Sequence, residues 1–417
     1  MYAFGVRVGL QLGPTVTAVC FLAAGVALGA ASGLTPGLHV NTLAALVAAA
    51  APVLPGPARG VGVALLAAGV VHSTLDVVPA LALGVPDAAM APSTLPGHRL
   101  VLAGRGREAL RLSALGSGTA AVLAALLGWP VTRLLRPVTP VLRAHLTVVL
   151  AAVVVFLILA EPSRRRRIGA ACAFAASGAF GLLALGLPTH PLVGQGDLLM
   201  PAFAGLFGVP VLIRGARGHG PPPQDDAAVT ARPRAVAFAA LAGTAAGAAV
   251  SYVSGVSSAV AATIALAALP SRVTAADGDR AFLVATSGVN TANTVFALFA
   301  FVAFGGTHTG VVVALDRSQA PLDLPLYVCC VLLAAAIAAV GVVVVGERYL
   351  DAVRRLPYAW VCAVALCLVG VLALVLAGPI GLAVLGGAAL VGFVPVHFGA
   401  RRVHLIGVLV VPLMLGP

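Results

Sequence analysis

The sequence predicts an all-α integral membrane protein of about ten to twelve transmembrane helices, in two related halves that each contain interrupted or re-entrant segments. Three observations lead there. First, the 417 residues are 60% hydrophobic and only 9% charged, whereas a soluble domain carries about a quarter of its residues as charged types. With a mean hydropathy of +1.08, the chain has too little polar surface to cover a water-soluble fold, so the bilayer must solvate most of it. Second, apolar runs of membrane-crossing length recur from one end of the chain to the other. Third, a polar, glycine-containing break follows the first long run of each half. The 48 glycines suit helices that approach closely over small side chains.

In order, the crossing candidates are Val16–Leu34, Gly60–Leu75, Leu112–Leu127, Leu146–Ala160, Ile168–Leu187, Leu198–Ile213, Ala235–Val253, Phe282–Phe304, Leu324–Gly346, Ala359–Ala377 and Ile380–Val396. Leu43–Ala51, Val260–Leu269 and Leu405–Leu415 are shorter, of a length that suits half-helices, re-entrant segments or tilted spans. The N-terminal run shows no small-residue cleavage site and reads as an anchor. Residues 214–234, RGARGHGPPPQDDAAVTARPR, have linker composition and separate a first transmembrane half (1–213) from a second (235–417).

The formal charge is +12, and all 25 basic residues are arginine. They sit in short clusters between apolar runs, as the positive-inside rule requires. That rule puts Arg164–Arg167, the Arg99–Arg111 cluster and the linker on the cytoplasmic side, and leaves Arg133, Arg136 and Arg143 outside, a mild conflict. No nucleic-acid-binding module accompanies the charge. The cysteines (Cys20, Cys172, Cys329, Cys330, Cys362, Cys367) lack metal-type spacing and read as small buried hydrophobes.

The first break, GLTPGLHVNT over Gly33–Thr42, contains Thr35, Pro36, Gly37, His39, Asn41 and Thr42. Pro36 removes a backbone donor and Gly37 permits a sharp turn. Freed amides and carbonyls find no partner in hydrocarbon, so such backbone belongs inside protein or beside a watery cavity. A helix starting near Asn41 offers free N–H groups to a carboxylate, while freed carbonyls with Thr35, Asn41 and Thr42 suit Na⁺. A proline kink satisfied by neighbouring helices is the plain alternative. The second break, Val253–Ser258, supplies Ser254, Gly255, Ser257 and Ser258. Thr286–Thr294 (TSGVNTANT) puts six hydrogen-bonding side chains into one apolar run. Asn290 and Asn293, one turn apart with Thr291 between them, can face a ligand or glue helices together. Gly84–Asp87 in the first half has a counterpart in Ser287–Asn290 in the second. Asp76 and Asp87 are the acids best embedded between apolar stretches. His72 and Asp76, four residues apart, form a proton relay or ion site, or else sit solvated at the interface. Gly194–Asp197 matches the GxGD string of intramembrane aspartyl proteases, a weak match in a glycine-rich chain whose spans lack the Tyr-Asp partner. HExxH, GxSxG and P-loop patterns are absent.

These stretches resemble the large membrane subunit of tripartite tricarboxylate transporters, a TctA-like permease of a shorter, archaeal-type branch. The carrying residues are Gly33–Thr42, Leu83–Leu110 (LGVPDAAMAPSTLPGHRLVLAGRGREAL), Ser254–Thr263 (SGVSSAVAAT) and Ser287–Asn293 (SGVNTAN). The second break has Ser254-Gly255 where the family usually has Pro-Gly. The resemblance implies a small four-helix membrane subunit and a periplasmic solute-binding protein as partners, and an ion gradient as driving force.

The expectation is therefore a multi-pass cell-membrane permease, not an enzyme, for a small organic anion such as a di- or tricarboxylate. It is coupled to Na⁺ or H⁺, has no other cofactor, and binds no nucleic acid. Thr35, Pro36, Gly37, His39, Asn41, Thr42 and Asp87 face Ser254, Gly255, Ser257, Ser258, Asn290, Thr291 and Asn293 across the site, with Na⁺ near Asn41 and Asn290. The bilayer, the carboxylate substrate and a second copy in a homodimer complete the partners. The alternatives are an exporter or carrier of another solute, an embedded enzyme using Asp76, Asp87 or Asp197, and a structural subunit.

Overall fold

The computed structural model describes residues 11–36, 56–84, 94–192, 198–217, 221–225, 228–252, 271–305 and 309–415, together with residues 2–3, 6–7, 40, 43–44, 47, 196, 261 and 265. Among them, nine helices are long and apolar enough to cross a membrane and three more are apolar but shorter. A two-residue strand pair, Tyr2–Ala3 with Val6–Arg7, precedes them.

The first half supplies α1 (Leu12–Gly33), α2 (Ala58–Leu83), α3 (Thr94–Leu102), α4 (Gly106–Leu135), α5 (Leu146–Leu159), α6 (Arg164–Ala184) and α7 (Leu199–Gly215). The second supplies α8 (Pro233–Tyr252), α9 (Ser271–Phe304), α10 (Gly310–Arg317), α11 (Leu324–Arg355), α12 (Tyr358–Ala377), α13 (Pro379–Phe398) and α14 (Arg402–Leu415). Local chemistry sets several ends. Ser163 caps α6 by accepting from the Arg166 N–H, and Asp323 caps α11 by accepting from the Leu326 N–H. Gly84 ends α2 in the left-handed region, at φ +67°.

The helices pack as two bodies. α1–α4 and α8–α11 share one core that includes Leu65, Leu66, Val284 and Phe296. α5–α7 and α12–α14 form the second, where the π-helical turn Ala204–Gly208 of α7 lies on α13 and α6 lies on α14. Each half thus contributes its earlier helices to one body and its later helices to the other. The bodies touch where Leu83 and Gly84 meet Tyr358 and Val211. The most apolar stretch of α2 is 100% buried, against 28% for α1, so α2 is central and α1 peripheral.

Small residues set the closest approaches. Gly25, Gly29 and Gly33 of α1 lie against Ala64, Ala68 and His72 of α2, and Gly243 and Gly247 of α8 lie against Ala285 and Val289 of α9. The register rises together in both pairs, so each pair is parallel. α4 runs with α9, since Gly116 meets Val284 and Gly128 meets Phe299. α2 runs the other way, ending beside the C-terminal part of α11, whose Glu347 and Asp351 pair with Arg111 and Arg107 at the start of α4.

Two expectations change. Residues 221–225 and 228–232, which have linker composition, are docked as a strap on the starts of α4 and α9. Gln224 accepts from the Gly106 N–H at 2.6 Å and donates to the Val101 carbonyl at 3.0 Å. The Asp225 N–H donates to the Gly104 carbonyl at 2.8 Å. Thr230 donates to the Glu108 carboxylate through both its N–H and its hydroxyl, each at 2.8 Å. Fully buried Glu108 also accepts from Arg105 at 2.6 Å and from Arg280 at 2.9 and 3.1 Å. The cysteines divide as well: Cys330 and Cys362 are buried, but Cys20, Cys172, Cys329 and Cys367 are exposed. An apolar run includes the lipid-facing side of a helix as well as its core side.

Candidate functional site

α2 does not end at Leu75, where its apolar run stops. Pro79 has no N–H to give the Leu75 carbonyl, so the helix turns at Asp76 and resumes as Val77–Leu83. This puts His72, Ser73, Thr74 and Asp76 in the middle of a buried helix, with Asp76 4% exposed and His72 fully buried. The interfacial, solvated alternative for the His72–Asp76 pair is thereby excluded. The Ser73 and Thr74 hydroxyls donate back to Gly69 and Val70 carbonyls, leaving His72 and Asp76 to face neighbours.

α9 crosses α2 at this turn. Asn290 Nδ2 donates to the Ser73 carbonyl at 2.8 Å and to Asp76 Oδ2 at 3.3 Å. A carbonyl can only accept, so the Ser73 contact fixes which end of the Asn290 amide faces α2. On the α1 side, Ser32 Oγ lies 2.8 Å from His72 Nδ1. On the α8 side, Ser251 Oγ lies 3.1 Å from the carbonyl and from Oδ1 of Asn293. Asn290 and Asn293 therefore hydrogen-bond to different neighbours, α2 and α8. Thr291 is fully buried, and among the described residues its hydroxyl has no hydrogen-bond partner. The carbonyl one turn back, Ser287, accepts from Ser117 at 3.3 Å. Ser113 meets Ser287 at 2.8 Å, which extends the polar track along α4 and α9.

Described residues at or just after each break pack close to this crossing. After the first, helical Val40, Leu43, Ala44 and Val47 line a narrow gap with Leu65, Ala68 and Gly69 of α2. After the second, helical Ala261 packs with Val250 and with Val289, the neighbour of Asn290. Pro36 is buried and Thr35 donates to the Ala31 carbonyl at 2.8 Å. Gly37, His39, Asn41, Thr42, Asp87, Asp197, Ser254, Gly255, Ser257 and Ser258 lie outside the described residues. Sequence reasoning missed Ser32, Ser73 and Ser251. Ser32 and Ser251 stand at the ends of the small-residue runs before the breaks, and that spacing was the available signal.

Two further features lie apart from the crossing. A groove of about 680 Å³ between α1, α2 and α11 is lined by Arg59, Asp323, Leu22 and Cys330. Between α5 and α6, Glu161 is 1% exposed and accepts from His404 and from the Arg401 N–H, both at 3.0 Å. Burial acts to raise its pKa, but these contacts outweigh it and hold the carboxyl below its ordinary value. Among the described residues, no group of three or more His, Cys, Asp or Glu side chains could hold a metal ion.

Membrane-length helices around a buried crossing of an amide and a carboxylate define a multi-pass membrane protein with a polar centre. The chain matches the Tripartite tricarboxylate transporter TctA family over residues 19–407 and belongs to that family. It is a transporter component, not an enzyme. It is similar to the uncharacterized protein MJ1079 of Methanocaldococcus jannaschii, 23% identical over 345 residues that cover 81% of this chain and 82% of that protein. No solved structure matches it.

Proposed function

We propose that the chain is a secondary active permease for a small organic anion such as a di- or tricarboxylate, coupled to Na⁺ or H⁺, and that the two breaks form its binding site at the α2–α9 crossing. One observation carries the reading: flanking residues of both breaks pack on the two helices that share the Ser73–Asp76–Asn290 contact. Thr35, Pro36, Gly37, His39, Asn41, Thr42 and Asp87 from one half and Ser254, Gly255, Ser257, Ser258, Asn290, Thr291 and Asn293 from the other surround the substrate and its ion. Free N–H groups at the interrupted helices suit carboxylates, and the buried Thr291 hydroxyl suits a ligand that supplies its missing partner.

The halves are inverted repeats. α1 and α2 start on the face opposite the strap, while α8 and α9 start on the strap face, and every major packing pair of one half has its counterpart in the other. The strap face is cytoplasmic, where Arg99, Arg105, Arg107, Arg111 and the Arg164–Arg167 cluster collect. Alternating access moves the body that holds the crossing against the body of α5–α7 and α12–α14. The family's tripartite character supports a small membrane subunit and a solute-binding protein as partners; a homodimer of this chain is part of the same proposal. Purified protein in liposomes, given labelled di- and tricarboxylates under imposed gradients, tests the reading. Wild type accumulates a carboxylate and Asn290→Ala loses at least tenfold of that rate. No uptake or exchange of any carboxylate, with or without the partner subunits, would overturn it.

A further inference from the structure

The two inverted pairs share a register, and that register exposes a chemical difference between them. On α1, Gly25, Gly29 and Gly33 meet Ala64, Ala68 and His72 of α2; on α8, Gly243 and Gly247 meet Ala285 and Val289 of α9, and Ser251, four residues further, meets Asn293. The steps of four superpose His72 on Asn293 and carry Asp76 onto Ala297. Each pair ends in a serine lock just before its break: Ser32 on His72 in the first half, Ser251 on Asn293 in the second. The spacing is shared, while the two serines occupy adjacent positions, since Ser251 is in register with Gly33. The first half holds an imidazole and a carboxyl where the second holds an amide and a methyl.

We propose that the repeat is functionally asymmetric, with the first half carrying the coupling ion, a proton, on Asp76 beside His72, and the second half offering neutral contacts to the substrate. This rests on the permease reading above. The geometry around Asp76 favours H⁺ over Na⁺. Hard metal cations take oxygen ligands, but the group that Asn290 turns toward Asp76 Oδ2 and the Ser73 carbonyl is an N–H donor, which occupies two of the oxygens a Na⁺ would use. A donor there steadies the carboxylate, and it tolerates the protonated acid as well.

Among the described residues, the nearby titratable groups fall as follows. On α1, Ser32 reaches His72 and Cys20 lies three turns away. On α9, Asn290 faces Asp76, while Asp277, Asp279 and Arg280 lie at the strap end, where they pair with Arg232, Arg99 and Glu108. On α11, Glu347 and Asp351 pair with Arg111 and Arg107 of α4; Tyr327, Cys329 and Cys330 lie towards the opposite end. α10 contributes Val311 against Gly69, with Asp316 and Arg317 at its far end. On α3, His98 Nδ1 lies 2.7 Å from the Leu81 carbonyl, beyond Asp76 on α2. The step balances simply. A proton from the outer medium adds to the Asp76 carboxylate, the neutral acid crosses with the substrate, and the O–H bond breaks to release that proton to cytoplasmic water.

Proteoliposomes loaded at alkaline pH and diluted into acidic medium with labelled citrate, succinate and malate provide the test. Wild type accumulates substrate under the pH gradient, a Na⁺ gradient alone gives at least tenfold less, and adding substrate to lightly buffered vesicles makes the outside more alkaline. Asp76→Asn removes the pH-gradient response at least tenfold and flattens the pH profile of uptake, with folding checked by size-exclusion elution and melting temperature. Accumulation driven by Na⁺ alone, or a wild type that takes up substrate with no external alkalinisation, overturns the proton assignment whatever the variant does. Asp76→Asn that still follows the pH gradient overturns the assignment to Asp76. If wild type moves no carboxylate at all, it is the permease reading that has failed.

Discussion

Glu108 offers the sharpest structural perturbation, because a single fully buried carboxylate joins three separated parts of the chain. It sits on α4 and accepts from Arg105 next to it, from Arg280 of α9 and from Thr230 of the strap. Glu108→Ala removes every one of these acceptors. Hydrogen bonds to charged groups contribute about 1.5–3 kcal/mol each, but they do not add. Arg105 and Arg280 side chains are 27% and 20% exposed, so water recovers part of the loss. Breaking a buried pair by removing one partner costs about 3–5 kcal/mol, and the cooperative unit holding Glu108 should lose that much. The lost methylene packing, at about 0.8 kcal/mol per group, is the smaller effect. At about 2–4 °C per kcal/mol for a unit of 150–250 residues, melting falls by about 6–20 °C. Thermal unfolding in detergent, read by a thiol-reactive dye, measures this, and limited trypsinolysis at Arg217 and Arg234 reports release of the strap. Glu108→Gln keeps an acceptor for Thr230 and should fall between wild type and Glu108→Ala. A melting change under 1 °C with no faster cleavage would refute the clamp.

Other consequences follow from particular contacts. Gly29→Leu drives a side chain into Ala68 and Val71 of α2, and Gly247→Leu does the same against α9, so both lose folded yield; Gly13→Leu, with open space around it, does not. Fluorescence-detected size exclusion distinguishes these. Thr291→Val removes a buried hydroxyl that has no partner, so melting stays level or rises by the equivalent of about 1 kcal/mol while carboxylate uptake falls. Glu161 has a folded pKa below its unfolded value. Its stabilisation is therefore present above the unfolded value of about 4.3 and is lost as pH falls through the depressed folded one. His404→Gln weakens the contact and moves the acid-unfolding midpoint to higher pH, read from melting curves across pH.

Hydropathy made the helices legible and made their neighbours much less so. The spans of α1, α8, α12 and α13 appear in the sequence within a few residues of their observed limits. α2 was cut short at Leu75 because Asp76 reads as an interfacial charge; burial by α1, α9 and α11 carries the helix on to Leu83. Pro221-Pro222-Pro223 and the charges around them have the composition of a free linker, and only distant partners, Val101, Gly104 and Glu108, make the strap. Asn290 was recognisable as a polar group in an apolar run. Its partners Ser73 and Asp76 were not, since they lie more than 200 residues away and depend on which face of α9 meets α2. Ser32 and Ser251 were hidden for a different reason: a serine inside an Ala/Gly-rich helix looks like packing until its neighbour turns out to be His72 or Asn293.

The central claim is that both breaks contribute to one substrate site at the α2–α9 crossing. Its most direct test is substrate protection of cysteines placed in each break. In a chain with its six native cysteines replaced, Asn41→Cys and Ser257→Cys are each alkylated by a small charged maleimide in open vesicles. A transported carboxylate at saturating concentration should slow both reactions at least fivefold, with equal half-maximal concentrations. Protection of one position alone, or of neither, would contradict a shared site.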